Sequence, residues 1–238
     1  AYKRNDGYES THVHLARLTA RGWDSRKLFR CYGGCGRVAF SPDGSTLYLI
    51  GGRWFGKHRF YRDLLKYDLK TRPRQPVRVT GGLRARELDI SPDGSSALVI
   101  TGFWGSTALV EVDLTSGASK TLIPLSKDLQ LNQPRYLGDG RIIVSSQSSG
   151  GWRDLWVREA DGAMKRLTRT PAREIGVTLS PDRKTAYYSS DREDVWNIYA
   201  LDIGTGEEWQ VTRVLGGAFN PSVSPDGGKV IFNAYGRR

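Results

Sequence analysis

The chain has 238 residues, 38% hydrophobic and 26% charged, with a formal net charge of +11. That length can bury a sizeable core, and all-β chains of this size commonly form one domain. No apolar stretch approaches the roughly 18 residues of a membrane-spanning helix. There is also no heptad pattern, low-complexity run or Pro- or Ser-rich linker. An N-terminus without initiator Met or signal peptide fits a processed mature form or an excised piece.

In chain order, THVHLARLT (11–19) and RKLF (26–29) come first and read as strands. After CYGGC (31–35) a full unit follows: RVAF, the turn Ser41-Pro-Asp-Gly44, TLYLI, the stretch GGRWFGKHRFYRD, then DLLKYDL and PVRVT. The second unit runs ELDI, Ser91-Pro-Asp-Gly94, ALVI, TGFWGST, ALVEVDL and KTLI. The third runs PRYL, Leu137-Gly-Asp-Gly140, RIIVSS, SQSSGGWRD, DLWVREA and KRLT. The fourth runs VTLS, Ser180-Pro-Asp-Arg183, TAYYSS, SDREDVWN, NIYALDI and WQVT. The chain closes with PSVS, Ser224-Pro-Asp-Gly227 and KVIFNA. Apolar residues in these runs recur at spacing two, the strand period. Pro presets the turn, Asp bonds its own backbone and Gly supplies positive φ, so each turn joins two strands.

The turns begin at 41, 91, 137, 180 and 224, so they are spaced 50, 46, 43 and 44 residues apart. Roughly 40 to 50 residues is one propeller blade of four strands. The expected fold is therefore all-β, a β-propeller of four-stranded blades forming a single domain over 1–238. Four blades are complete, at about 30–80, 81–124, 125–169 and 170–213. A fifth is composite, 214–238 with 1–29, closed by the two termini so that sheet edges are protected. AYKRNDG at the start duplicates the second strand that FNAYGRR also supplies. That overlap makes six blades the expectation if the chain is a fragment.

LGDGRIIVSSQSSGGWRDLWVREADGAMKRLTR and LSPDRKTAYYSSDREDVWNIYALDIGTGEEWQVTR resemble the WD40-like repeats of the TolB family. The resemblance covers nearly the whole chain and is strongest over 130–238. It lacks the N-terminal α/β domain of TolB itself, so it extends to the propeller alone. It implies fold more than function, because such propellers occur in periplasmic TolB, in prolyl-oligopeptidase-type enzymes and in envelope proteins.

Catalytic signatures are absent from the sequence: no Gly-x-Ser-x-Gly elbow and no phosphate loop. The histidines are His12, His14 and His58. His12 and His14 share a strand face, but no third ligand accompanies them. Asp43, Asp93, Asp139, Asp182 and Asp226 form a periodic row that turn chemistry explains. No cofactor, metal or catalytic residue is therefore expected, and the chain reads as a non-enzyme. Cys31 and Cys35 are spaced for a local disulfide suited to an oxidising compartment. Two free thiols are the alternative.

The charge is uneven, with Arg53, Lys57, Arg59, Arg62, Lys66, Lys70, Arg72, Arg74 and Arg78 in one stretch and Arg84 and Arg86 beyond. Such a stripe favours a protein partner with an acidic face or an anionic membrane or envelope surface. Nucleic acid ranks lowest, because no nucleic-acid motif accompanies the charge. The stretches between second and third strands share one face of a propeller. They carry Arg53, Trp54, Phe55, Lys57, Arg59, Arg62, Phe103, Trp104, Trp152, Arg153 and Trp196, an interface-like mixture. Packing of the rings between blades is the competing reading.

The expectation is a periplasmic or otherwise extracytoplasmic scaffold propeller, of the kind that serves as an extrinsic subunit of a membrane complex. The alternative is the propeller of a prolyl-oligopeptidase-type peptidase apart from its catalytic domain. A lyase using the propeller channel is disfavoured by the scarcity of histidine.

Overall fold

The computed structural model describes residues 2–5, 10–32, 34–55 and 57–235. All its regular structure is β, and no helix occurs among the described residues. The chain divides into two compact units, Ala1–Ile123 and Pro124–Arg238.

The first unit opens with β1 (Tyr2–Asn5), β2 (Ser10–Thr19) and β3 (Gly22–Tyr32), a three-stranded antiparallel sheet. Next come β4 (Cys35–Phe40), β5 (Thr46–Phe55), β6 (Arg59–Asp68) and β7 (Val77–Arg78), hydrogen-bonded in chain order. β8 (Ala85–Ile90), β9 (Ser96–Phe103), β10 (Ser106–Asp113) and β11 (Ser119–Ser126) repeat that meander. The run Leu47-Tyr-Leu-Ile50 shows why these strands are apolar on both faces. Leu47 and Leu49 enter one core with Val13, Phe29, Leu65 and Tyr67. Tyr48 and Ile50 enter another with Leu64, Leu88, Val99 and Val110. Strand alternation sends successive residues to opposite faces, so a sheet packed on both sides needs a continuous apolar run.

The second unit repeats the pattern. β12 (Leu129–Tyr136), β13 (Ile142–Ser148), β14 (Arg153–Arg158) and β15 (Met164–Arg166) form one sheet. β16 (Glu174–Leu179), β17 (Thr185–Ser190), β18 (Asn197–Asp202) and β19 (Glu208–Gln210) form the next. A hairpin, β20 (Ala218–Val223) with β21 (Val230–Ala234), ends the chain. Ile143, Leu155, Val157, Val177, Tyr188, Tyr199 and Leu201 make the core of this unit.

Of the residues expected to make the composite blade, the described ones of 1–29 lie in the sheet β1-β2-β3 and those of 214–238 include the hairpin β20-β21. The N-terminal duplication is a real strand: β1 pairs with β2 in the register Tyr2↔His14 to Asn5↔Thr11. This pairing makes β2 a central strand, and His12 is buried in it. No cluster of three His, Cys, Asp or Glu residues arranged for a metal occurs among the described residues.

The turns work as their chemistry predicts, with Ser as an added participant. Ser41 Oγ donates to Asp43 Oδ1 at 2.5 Å and accepts from Thr46 N at 2.9 Å, while Gly44 sits at φ 68°. Ser91–Asp93, Ser180–Asp182 and Ser224–Asp226 repeat the bond at 2.5–2.6 Å. Hydrogen bonds from serine and backbone hold Asp43 and Asp93 at about 2, below the usual carboxylate range.

Candidate functional site

The stretch 51–63, expected as a long loop, is mostly strand. β5 and β6 pair continuously from Thr46↔Asp68 to Phe55↔Arg59, so most of the stretch belongs to the two strands. Aromatic residues favour the extended backbone and pair across strands, which turns a presumed loop into a projecting ribbon. Alternation then sorts the side chains. Trp54 lies opposite Phe60, their rings edge-on at 5.5 Å and exposed by 63% and 40%. Arg53, Phe55, Arg59 and Tyr61 take the other face, where the Phe55 and Tyr61 rings are 6.2 Å apart.

The base of the ribbon is fixed by polar contacts. Arg53 donates to the carbonyls of Gly52 and Pro76, and Arg78 donates to that of Trp54 at 2.8 Å. Asp63, fully buried, accepts from the backbone of Gly82 at 3.1 Å and Leu83 at 2.8 Å, and from the Thr80 hydroxyl at 3.3 Å. One carboxylate thus pins the loop that carries Arg84. Arg84 Nη2 donates to Tyr61 Oη at 3.0 Å, and its guanidinium lies 4.5 Å from the ring centres of both Tyr61 and Phe103.

Phe103 leads into the turn of the next hairpin. Phe103 pairs with Ser106 across a two-residue connection, Trp104-Gly105, with φ of 53° and 81°. Two positive φ values define the type I′ hairpin, where Asn-Gly is the favoured pair. Trp104 occupies the Asn position with its ring 87% exposed, 5.6 Å from Phe103. Arg84 is likewise at positive φ, 58°. Two bulky residues in the left-handed region therefore meet in one exposed aromatic and basic surface. Lys57, Arg59 and Arg62 are exposed beside it.

In the second unit the expected residues divide. Trp152 is 52% exposed. Arg153 is half-buried, and burial together with neighbouring Arg173 lowers its pKa. Trp196 packs on Phe219 at 5.4 Å under the guanidinium of Arg173, which pairs with Asp191 at 2.8 Å. Nearby, Arg192 bridges Glu174 at 3.1 Å, Glu208 at 2.6 Å and the Tyr188 hydroxyl at 2.8 Å. Burial pushes Glu174 up to about 7, against hydrogen bonds from Thr168, Thr170 and Arg192. Glu174 is fully buried, and the cluster ties β16, β17 and β19 together. A cavity of about 330 Å³ in this unit is lined by Ile175, Phe219, Asn220, Asn233, Ala234 and Tyr235, amides and rings rather than an acid–base pair.

Cys31 and Cys35 bring their Cα atoms to 5.7 Å, inside disulfide range, and their sulfurs face each other. Sequence reasoning passed over Phe60, Tyr61 and Arg84 as site residues. The alternation Arg59-Phe-Tyr-Arg62 carried the signal for the first two. Arg84 is brought in by the backbone bonds to Asp63, which no local pattern announces.

The repeated four-stranded meanders, Asp-Gly turns and two-faced cores define a TolB-type β-propeller of several blades. The chain belongs to the family of the uncharacterized protein Atu1656 of Agrobacterium fabrum, to which it is 40% identical over 218 residues, 90% of this chain and 68% of the relative. No family model matches it. The solved structure of a putative TolB from Agrobacterium tumefaciens superposes with a TM-score of 0.78 at 22% identity, covering 96% of this chain and 79% of that one. A puromycin hydrolase superposes with a TM-score of 0.72 at 16% identity, covering 95% of this chain but 38% of the hydrolase.

Proposed function

We propose that the chain is a non-catalytic docking propeller that binds a protein partner with an acidic face in the cell envelope. The binding surface is the aromatic and basic one of the first unit: Trp54, Phe55, Phe60, Arg59, Arg62, Phe103 and Trp104. The observation that carries this reading is Trp104. It stands 87% exposed at φ 53° in a turn where Asn would be cheaper. Folding gains little from an exposed ring in a strained position, and such strain concentrates at binding sites. Trp and Arg dominate interface hot spots, and the surrounding positive charge suits an acidic partner.

One observation supports the extracytoplasmic part. Cys31 and Cys35 lie in disulfide range, which belongs to oxidising compartments.

A second reading rests on the puromycin hydrolase likeness. Here the propeller accompanies a peptidase catalytic domain, and the same surface contacts that domain. Both readings are tested by titrating purified partner against the wild type, Trp54→Ala, and the double variant Arg59→Glu, Arg62→Glu, each first shown to be folded. Loss of affinity in both variants supports the surface. Unchanged affinity and salt dependence in both overturns it. Peptidase activity in the purified partner decides for the second reading.

A further inference from the structure

Several arginines in this molecule are answered by carboxylates. Arg141 pairs with Asp139, Arg166 with Asp154, Arg173 with Asp191, and Arg192 with Glu174 and Glu208. Arg84 is different. Its contacts are two rings and a phenol oxygen, and no carboxylate pairs with it among the described residues. Its side chain, half-buried within the surface, is held from several directions. The rings of Tyr61 and Phe103 lie at 4.5 Å, Nη2 is committed to Tyr61, and its carbonyl accepts from Gly102 N at 3.2 Å. Its backbone is held at φ 58°, a conformation that L residues other than glycine rarely adopt.

A guanidinium has five donors in a planar fork. Stacking on rings uses its faces, and one donor goes to Tyr61. The remaining donors lie along its edge, in the plane that a carboxylate matches with two parallel bonds. Because the fork is already immobilised, little side-chain entropy is lost when an acid arrives.

We propose that Arg84 is a preformed carboxylate receptor, which reads an Asp, a Glu or a terminal carboxylate on a peptide segment of the partner. The exposed ring of Trp104, against Phe103 on the same side of the ribbon as Tyr61, takes an apolar residue of the same segment. This rests on the docking surface proposed above and adds the chemistry it recognises. Anionic lipid is the rival ligand for an aromatic and basic surface. A lipid surface attracts point charges and needs no oriented fork, so it should not distinguish Arg from Lys at this place. The immobilised fork favours the peptide.

The probe is a random peptide library displayed on phage and selected on the purified chain. Parallel selections use Arg84→Lys, Arg84→Gln and Trp54→Ala, each checked for wild-type thermal unfolding. Sedimentation with vesicles of equal parts phosphatidylglycerol and phosphatidylcholine forms a second arm. The expected result is enrichment of an acidic residue next to a large apolar one on the wild type. In synthetic form such a peptide should bind Arg84→Lys at least about tenfold more weakly, as should its amide twin on the wild type, from the loss of one charge-assisted pair. Peptides without acidic enrichment, or equal binding to wild type and Arg84→Lys, overturn the receptor. If Trp54→Ala still weakens those peptides, the docking surface stands without it. If neither variant matters, both proposals fall. Vesicle binding that is the same in all variants, with no peptide selected, assigns the surface to lipid and also overturns the receptor.

Discussion

Replacing Trp104 by Asn should separate folding from binding. The turn Phe103-Trp104-Gly105-Ser106 holds Trp104 at φ 53°, where a bulky residue pays about 1–2 kcal/mol and Asn much less. Against that gain stands the contact with Phe103 at 5.6 Å, worth about 0.5–1.5 kcal/mol. Little buried area is lost, because the ring is 87% exposed. The two terms nearly cancel, so Trp104→Asn should be neutral or more stable by about 1 kcal/mol. In a chain of this size that is a rise of roughly 2–4 °C in Tm. A packed Trp would instead cost about 3–5 kcal/mol on truncation. Thermal or urea unfolding reads the first quantity, and titration of the partner reads the second. Binding should weaken by about 2 kcal/mol or more, about thirtyfold, if Trp104 is an anchor. A stability loss above about 2 kcal/mol would show that the ring serves the fold. Unchanged binding would remove it from the interface.

Changing Arg59 and Arg62 to Glu should slow partner association and flatten its salt dependence, measured by stopped-flow between about 0.05 and 0.5 M salt, where screening of exposed charges grows; the wild-type slope in the variant would count against steering. Cys31 and Cys35 should resist alkylation in unreduced, denatured protein, and replacing both by Ser should cost about 2 kcal/mol for so short a loop; full alkylation without reductant would disprove the bond. Stability should also depend on pH in two windows. Asp43 and Asp93 sit at about 2, below their ordinary value, so their contribution is present above it and is lost as pH falls from about 4 through about 2. Glu174, raised to about 7, acts oppositely: the fold favours its neutral form, and that preference is lost as pH rises through about 7. Asp43→Asn should flatten the acid limb and Glu174→Gln the limb near neutrality; unchanged unfolding profiles would refute each assignment.

What was legible in the sequence was local or periodic. The Pro-Asp-Gly turns announce themselves because their bonds span two to five residues, as between Ser41 and Thr46. Leu47 to Ile50 declare a strand by composition, and only the packing shows that both its faces are buried. What escaped depends on distant partners. The terminal Thr of a fourth strand repeats visibly, but its task lies in the third strand: Thr80 accepts from Leu64 N, Thr168 from Leu155 N and Thr212 from Ile198 N. Glycines 51, 52 and 56 disguised the ribbon as a loop, although its strands pair to Phe55↔Arg59. Trp196 looked like Trp54 in sequence, yet Phe219 covers it from a later strand.

The most direct test of the docking surface is site-specific photocrosslinking in cells that make the protein with its partner. A benzophenone amino acid replaces Phe60 on the ribbon in one version. In another it replaces Trp23, which is 72% exposed at the β2–β3 turn and serves as control. The account predicts one discrete crosslinked species from position 60, none from 23, and loss of that species when Trp104→Asn is added. Equal crosslinking at both positions, or a species that survives Trp104→Asn undiminished, would contradict it.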